Sequence, residues 1–464
     1  MKTAEKQASR GKADKGLSMW LVIMIVIAAV YVLSFIIPSG SYQRDGNIAI
    51  PGSYAPVDKV YLMPWEVILQ IGQQTFSSFG ALFITILIMG GMMGVVNSTK
   101  VIDRCLTNLV HKLKDKYFLI IPAFIFAMGF FGSLGSMIST AILFIPLGLS
   151  LAKQMKVDRT FSVGLIMLGS YTGFMTSPVN TLTTILGQDI AGLTPYSGAG
   201  LRTVVTIIDL AIVSIYLIWY AKKKAADPSV FENAFSPEER EEEYELKADK
   251  LKWNEVAILC LFFGSFLFFA VGGPAFGFNT LTLGSIMLPV GLICGVMARY
   301  DLDTIMEYFV KGAQGMISVI LFMILASTMS VILNNSLILD SIVYYLSIPL
   351  DYLSNTLAAI GMFIVNAIIN IFINSGSGQT SVMMPIMAPL ADVLGVTRQM
   401  ALLCLQYGDG FTNLLAPTSV NLLACLALAK VSMKEWYKLV VPVYTIIFFV
   451  LCASIFVGTA IGYH

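Results

Sequence analysis

Four short clusters of hydroxyls, amides and glycines lie inside otherwise apolar stretches of this chain. The first is Gly132-Ser133-Leu134-Gly135-Ser136-Met137-Ile138-Ser139-Thr140, and the second is Thr176-Ser177-Pro178-Val179-Asn180-Thr181. The third is Asn374-Ser375-Gly376-Ser377-Gly378-Gln379-Thr380-Ser381, and the fourth runs from Thr412-Asn413 through Pro417-Thr418-Ser419 to Asn421. Proline removes a backbone donor and interrupts a helix, and a carbonyl freed in lipid needs a partner. Carbonyl, hydroxyl and amide oxygens suit a small hard cation such as Na⁺, whereas a helix N-terminus, equivalent to about +0.5 charge, suits a carboxylate. Small polar residues also pack helices together in membranes, but four clusters at matched positions favour a binding site.

On this reading Ser136, Ser139, Thr140, Asn180, Ser377, Gln379, Thr380, Asn413, Thr418, Ser419 and Asn421 are assigned to the substrate. Ser133, Ser177, Thr181, Asn374, Ser375, Asp409 and Thr412 are assigned to the coupling ion. Asp409, just ahead of the fourth cluster, is expected to serve coupling or substrate contact, and Asp209, within an apolar stretch, a structural role. A carboxylate at membrane depth costs about 2.5–3.5 kcal/mol on insertion scales and so requires a cation, a proton or donors. The two histidines, His111 and His464, are far apart, and the six cysteines form no CxxC pair. Catalytic dyads, zinc sites and a disulfide framework are therefore not expected, and no cofactor is called for beyond Na⁺ or H⁺ as coupling ion.

The elements that must position these clusters are membrane helices. Of 464 residues, 57% are hydrophobic and 12% charged, far beyond what one soluble core buries. Apolar runs predict crossings near 19–37, 66–97, 160–191, 201–221, 253–271, 280–298, 312–334, 399–430 and 439–461. The first run is too long for a signal peptide and reads as a retained helix. With the N-terminus cytoplasmic, most Lys and Arg fall inside, and only Arg44, Lys59, Arg202 and Arg398 fall outside. That pattern requires 117–152 and 356–390 to enter and leave on one side, each as two arms of about 15 residues, too short at about 22 Å for a core of about 30 Å.

An offset of 239 residues places Arg159 on Arg398, Pro146 on Pro385, Gly169 on Gly408 and Pro178 on Pro417. The chain thus reads as two copies. The extra crossing near 253–271 inverts the second copy, an arrangement by which secondary carriers place a site near the midplane. The expected organisation is a cytoplasmic tail over 1–18, a first repeat over 19–221 with hairpin 117–152, and a cytoplasmic linker over 222–252. An extra helix and loop over 253–279 and a second inverted repeat over 280–464 with hairpin 356–390 complete it. The linker, with its EEREEEYE run, is expected to be a solvated segment, not a partner site.

The stretch INSGSGQTSVMMPIMAPLADVLGVTRQMALLCLQYGDGFTNLLAPTS from Ile373, together with MGGMMGVVNSTK from Met89 and Ala191-Gly192-Leu193, resembles the YfcC-like branch of the C4-dicarboxylate anaerobic carrier (DcuC-type) family. The resemblance spans nearly the whole chain. It implies the ion-transporter superfamily, scaffold and transport domains, elevator-like motion and, as in many relatives, a homodimer. Relatives that are basic amino-acid antiporters usually carry a Ser-Glu-Glu run at the first tip, where this chain has Ile138-Ser139-Thr140.

The expectation is an all-α polytopic inner-membrane protein of two inverted repeats, each with a re-entrant hairpin and a broken helix. It is read as a secondary active transporter, symporter or antiporter, moving a small carboxylate-bearing metabolite, foremost an amino acid, with Na⁺ or H⁺. The alternatives are a carrier of C4-dicarboxylates or other short organic acids, or an arginine/ornithine exchanger. Its partners are then the substrate and the bilayer, with no nucleic acid. A channel would conduct continuously without counterflow, and an intramembrane enzyme would need a nucleophile and base that the chain does not offer at depth.

Overall fold

The computed structural model describes residues 19–463 except 46, 47, 51, 103, 106, 107, 109–111, 113–117, 136, 137, 195, 238, 240–250, 277, 279 and 350–354. The tail 1–18, His111, His464 and most of the acidic run lie outside these residues.

The described chain is overwhelmingly helical. Helix α1 spans Met19–Ile36, and after two small antiparallel ribbons α2 spans Pro64–Ser98. The first hairpin comprises α3 (Ile120–Ser133), a 3₁₀ turn (Ile138–Phe144) and α4 (Ile145–Gln154). The broken helix follows as α5 (Arg159–Thr176), a π turn (Thr181–Ile185) and α6 (Leu186–Ile190). Next come α7 (Ala199–Ala225), α8 (Pro228–Ala234), α9 (Trp253–Phe276) and α10 (Thr280–Met297). Helices α11 (Leu302–Gln314), α12 (Ile317–Asn335) and α13 (Leu339–Ser347) lead to the second hairpin, α14 (Asn355–Asn370) and α15 (Gly376–Val393). A second broken helix, α16 (Arg398–Thr412) and α17 (Val420–Ala429), precedes α18 (Met433–Ala460).

Two of these helices, α7 and α18, are each long and apolar enough by themselves to cross a bilayer. The arms α3 and α14 have 14 and 16 residues, or roughly 21 and 24 Å, short of a hydrocarbon core of about 30 Å. Each broken helix starts on a side-chain cap, with Asp158 accepting from the Phe161 N–H and Thr397 from the Met400 N–H. Every residue of α5 from Thr160 to its end is buried, its hydroxyls Ser162, Ser170, Thr172 and Thr176 included, so the helix is packed on all sides.

The offset read in the sequence recurs in the element boundaries: α5 and α16 begin at 159 and 398, and the segments after the breaks begin at 181 and 420. The helix ends match as well. The Val157 N–H bonds the Ala152 carbonyl at 3.0 Å around left-handed Lys156, as the Val396 N–H bonds the Ala391 carbonyl at 2.8 Å around left-handed Gly395. With slips of one and two residues from that offset, left-handed Lys430 pairs with Gly192 and Leu337 with Lys100.

Two packing groups emerge. In one, α2 packs on α10, α11 and α12, and α12 on α1. Close approach is enforced by glycine: a Cβ on Gly94 would run into the backbone of α11, one on Gly312 into that of α2, and one on Gly90 into the Met316 side chain. In the other group, α3 packs on α5 as α14 packs on α16, and α5 and α16 touch each other. The segment between α1 and α2 is fastened to the second copy. Asp340 accepts from the Tyr42 N–H at 2.9 Å and pairs with Arg44 at 2.6 Å. Because Asp340 is buried and Arg44 is about a third exposed, Asp340→Ala is expected to destabilise by only about 1–2 kcal/mol, read as a lower Tm in detergent.

The linker departs from expectation. Rather than being solvated throughout, it carries α8, whose Phe231 and the following Phe235 are buried with rings 5.4 Å apart. These two apolar residues, one turn apart, give the segment a face to bury. Arg159 then clamps it, bonding the Ala234 carbonyl at 2.7 Å and both Glu239 oxygens. Burial alone would raise the Glu239 carboxyl, yet the Arg159 guanidinium and the Ser236 N–H hold it down at about 2. The stability from this pairing is thus present above the ordinary carboxylate range and lost only as pH falls toward about 2.

Candidate functional site

The third polar cluster meets residues flanking the second and the fourth at Gly376, the first residue of α15. A Cβ placed there would lie 3.0 Å from Thr183 Cγ2, 3.1 Å from Asp409 Oδ2 and 3.1 Å from Phe174 Cζ. Thr183 belongs to the turn after the first break, Phe174 to the last turn before it, and Asp409 to the last turn before the second break. The backbone is set for this approach by Ser375, whose Oγ accepts from the Gly378 N–H at 3.3 Å and so starts α15 at the tip. The N–H groups of Gly376 and Ser377 have no acceptor within their own helix and face an N-terminal dipole outward.

Each tip is closed onto the break of its own copy. In the first, Ser177 Oγ donates to the Ser133 carbonyl at 2.6 Å, and left-handed Gly135 lies against Asn180 Oδ1. Asn180 in turn caps the π turn, accepting from the N–H groups of Leu182 and Thr183. In the second, Asn374 Nδ2 donates to Asn413 Oδ1 at 2.9 Å, and Asn413 Nδ2 to the Asp409 carbonyl at 2.8 Å.

Behind Gly376 lies a fully buried polar cluster. Asn370 Nδ2 donates to Asp409 Oδ1 at 2.6 Å and to Gln379 Oε1 at 3.1 Å, and Gln379 Nε2 donates to the Asn366 carbonyl at 2.9 Å. Asn366, Asn370, Gln379 and Asp409 are all 0% exposed. Two oxygens in this cluster, Asp409 Oδ2 and Asn370 Oδ1, have no hydrogen-bond partner. A buried carboxylate oxygen without a donor is costly, and a proton or a cation relieves that cost. The first copy has no such cluster: at the offset of 239, Asn366, Asn370 and Asp409 face Ala127, Phe131 and Ser170.

The carbonyls freed by the first break are satisfied differently. Gln406 Nε2 donates to the Ser177 carbonyl at 2.8 Å and the Phe174 carbonyl at 3.3 Å. Gln406 Oε1 accepts from Arg202 Nε at 3.0 Å, and Arg202 Nη1 donates to Tyr463 at 2.6 Å. Arg202 was expected as an outside loop charge, but it is 0% exposed and inside the helix packing. Its long side chain turns inward because Gln406 and Tyr463 accept there. Asp209, also buried, has no partner for either oxygen.

The remaining expected residues are placed as follows. Ser136 lies outside the described residues, and of Ser139, Thr140 and Thr181 only the backbone is described. Thr412 donates to the Ala367 carbonyl, Thr380 to the Gly376 carbonyl, and Asn421 to Tyr171. The hydroxyls of Thr418 and Ser419 are buried and without partner, like that of Thr183. Ser375 is exposed, and Ser377 and Ser133 are partly buried. The sequence reading missed Asn366, Asn370, Thr183, Gln406 and Arg202. Amides at 366 and 370, one turn apart in an apolar arm, were the available signal.

The sequence model of the C4-dicarboxylate anaerobic carriers matches residues 17–460, nearly the whole chain. The chain belongs to that family. This carrier is a membrane transporter and not an enzyme. It is 26% identical over 390 residues to the Escherichia coli K12 protein described as "Putative basic amino acid antiporter YfcC", covering 82% of this chain and 77% of that one. It is 27% identical over 400 residues to an uncharacterized protein of Haemophilus influenzae Rd, covering 85% and 78%. The YdaH transporter of Alcanivorax borkumensis aligns over 96% of the carrier and 99% of its own chain, at 15% identity and a TM-score of 0.45, too low to establish a shared fold.

Replacing Gly376 with valine would push a branched side chain against Thr183, Asp409 and Phe174. The expected result is at least about 10-fold weaker half-saturation for substrate, measured by uptake, with the protein still folded.

Proposed function

We propose that this carrier moves a small carboxylate-bearing metabolite, foremost an amino acid, across the inner membrane by symport or exchange coupled to one cation, Na⁺ or H⁺, held at Asp409. The observation that carries this reading is the unpartnered Asp409 Oδ2 beside Gly376, where a hairpin tip meets both broken helices. The cation joins Asp409, with Asn370 Oδ1 as second ligand to Na⁺ or as hydrogen-bond acceptor when Asp409 is protonated. The substrate carboxylate meets the N-terminus of α15 at Gly376 and Ser377, and Thr183, Thr418 and Ser419 contact the rest of it. Asn374 and Asn413 latch the second tip, and Ser133 and Ser177 the first.

The two copies have opposite orientation in this reading. At matched left-handed helix ends, Lys156, Lys430 and Lys100 stand where the other copy has Gly395, Gly192 and Leu337. A left-handed lysine is strained where glycine is not, as is left-handed Leu337, so lysine at all three ends on one side and none on the other reflects a demand for charge there, which fits the positive-inside rule. The N-terminus is then cytoplasmic. The hairpin-bearing group α3–α7 with α14–α18 slides as the transport domain against a scaffold of α1, α2 and α9–α12, in a homodimer. Uptake into proteoliposomes, with Na⁺ and pH gradients imposed separately, tests the reading. Accumulation driven by one gradient, with counterflow of internal substrate, is expected. Indifference to both gradients, with no counterflow, overturns it.

A further inference from the structure

At the lysine-rich ends of α7 and α18, remote from Gly376, lies a cavity of about 810 Å³ walled by α5, α8 and the turn after α17. It holds five cations, Arg159, Lys223, Lys224, Lys430 and Lys438, and three carboxylates, Asp158, Glu239 and Glu435. The carboxylates are already engaged. Asp158 accepts from Tyr220 at 2.8 Å and pairs with Lys224 at 3.1 Å, while both oxygens of Glu239 accept from Arg159 Nη2. Glu435 is spent capping α18, accepting from the Ser432 N–H and hydroxyl. Among the described residues, the ammonium groups of Lys223, Lys430 and Lys438 form no ion pair, although Lys430 is near enough to Glu239 to help hold its carboxyl down.

The cavity also has an aromatic wall. Lys223 Nζ sits 5.0 Å over the Trp219 ring, Tyr216 and Tyr220 continue the wall, and Trp219 itself is 53% exposed. Exposed tryptophan beside lysine, at the end of a helix able to cross a bilayer, marks the level of lipid headgroups. Basic cavities between helices at that level recognise phosphate-bearing headgroups.

We propose that this cavity binds a phosphate-bearing anion, held by Lys223, Lys430 and Lys438. A phosphate there satisfies three ammonium groups at once through charge-assisted bonds and bridges α7 to α18, tying the ends of the two copies together. The anion has two possible sources, an anionic phospholipid headgroup or a soluble phosphate ester.

The test is Tm of the full-length protein in phosphatidylcholine nanodiscs, to which either phosphatidylglycerol or soluble glycerol 1-phosphate is added. The wild type is expected to gain about 5 °C. The gain should vanish in the triple variant Lys223→Gln, Lys430→Gln, Lys438→Gln and survive in the corresponding triple arginine variant. A gain only with phosphatidylglycerol assigns the site to lipid; a gain with glycerol 1-phosphate assigns it to a soluble ester. No gain with either, persistence of the gain in the glutamine variant, or an equal loss on changing the distant surface residue Lys311→Gln overturns the proposal.

Discussion

Asp409→Asn is expected to abolish cation-driven uptake while leaving Tm unchanged or raised. The carboxylate is 0% exposed and accepts one hydrogen bond, from Asn370, leaving its second oxygen bare. A structural carboxylate would have both oxygens satisfied, and its loss would orphan donors. Here asparagine still offers an oxygen to Asn370 and removes a buried charge that costs about 2.5–3.5 kcal/mol. The lost quantity is the coupling between cation and substrate, which for two linked sites is about 1–3 kcal/mol, or 5–150-fold in affinity. Substrate binding measured with and without the cation should therefore differ in the wild type and coincide in the variant. A collapse of Tm by more than about 10 °C would instead make Asp409 a packing residue.

Arg202→Met should produce the opposite signature. Methionine keeps the apolar stem as far as the position of Nε but deserts Gln406 and Tyr463. Tyr463 still donates to the Gly198 carbonyl at 2.6 Å, so the orphaned group is Gln406 Oε1. The net destabilisation is about 2 kcal/mol, because one Arg202 nitrogen, Nη2, was itself unpartnered. Gln406 is then free to leave the carbonyls of Ser177 and Phe174, which the break exposes. Lower Tm and a several-fold lower maximal uptake rate are expected, with cation dependence intact. The same loss of cation dependence as in Asp409→Asn would show that Arg202 belongs to the ion site and not to its support.

The contrast between these residues explains what the sequence could reveal. Breaks at Pro178 and Pro417 leave local signatures, so the broken helices were legible, whereas Asn180, assigned to the substrate, was not read as the cap of the π turn. The offset of Arg159 and Arg398 carried the same information at long range. Asn366 and Asn370 were overlooked because a polar residue in an apolar arm reads equally well as helix-packing glue. Only the fold brings them under Asp409, across 39 residues of chain. Arg202 was misplaced because a charge near a helix end was counted as loop charge, whereas its guanidinium reaches acceptors more than 200 residues away. Phe231 and Phe235 were hidden by the acidic run beside them.

The central claim is that Asp409 couples a cation to carboxylate transport. It is tested most directly by loading wild-type and Asp409→Asn proteoliposomes identically and following radiolabelled amino acids or C4-dicarboxylates under an imposed Na⁺ or pH gradient. Uphill accumulation is expected in the wild type and none in the variant, which stays folded with an equal or higher Tm. Uphill accumulation of equal size in both would contradict it.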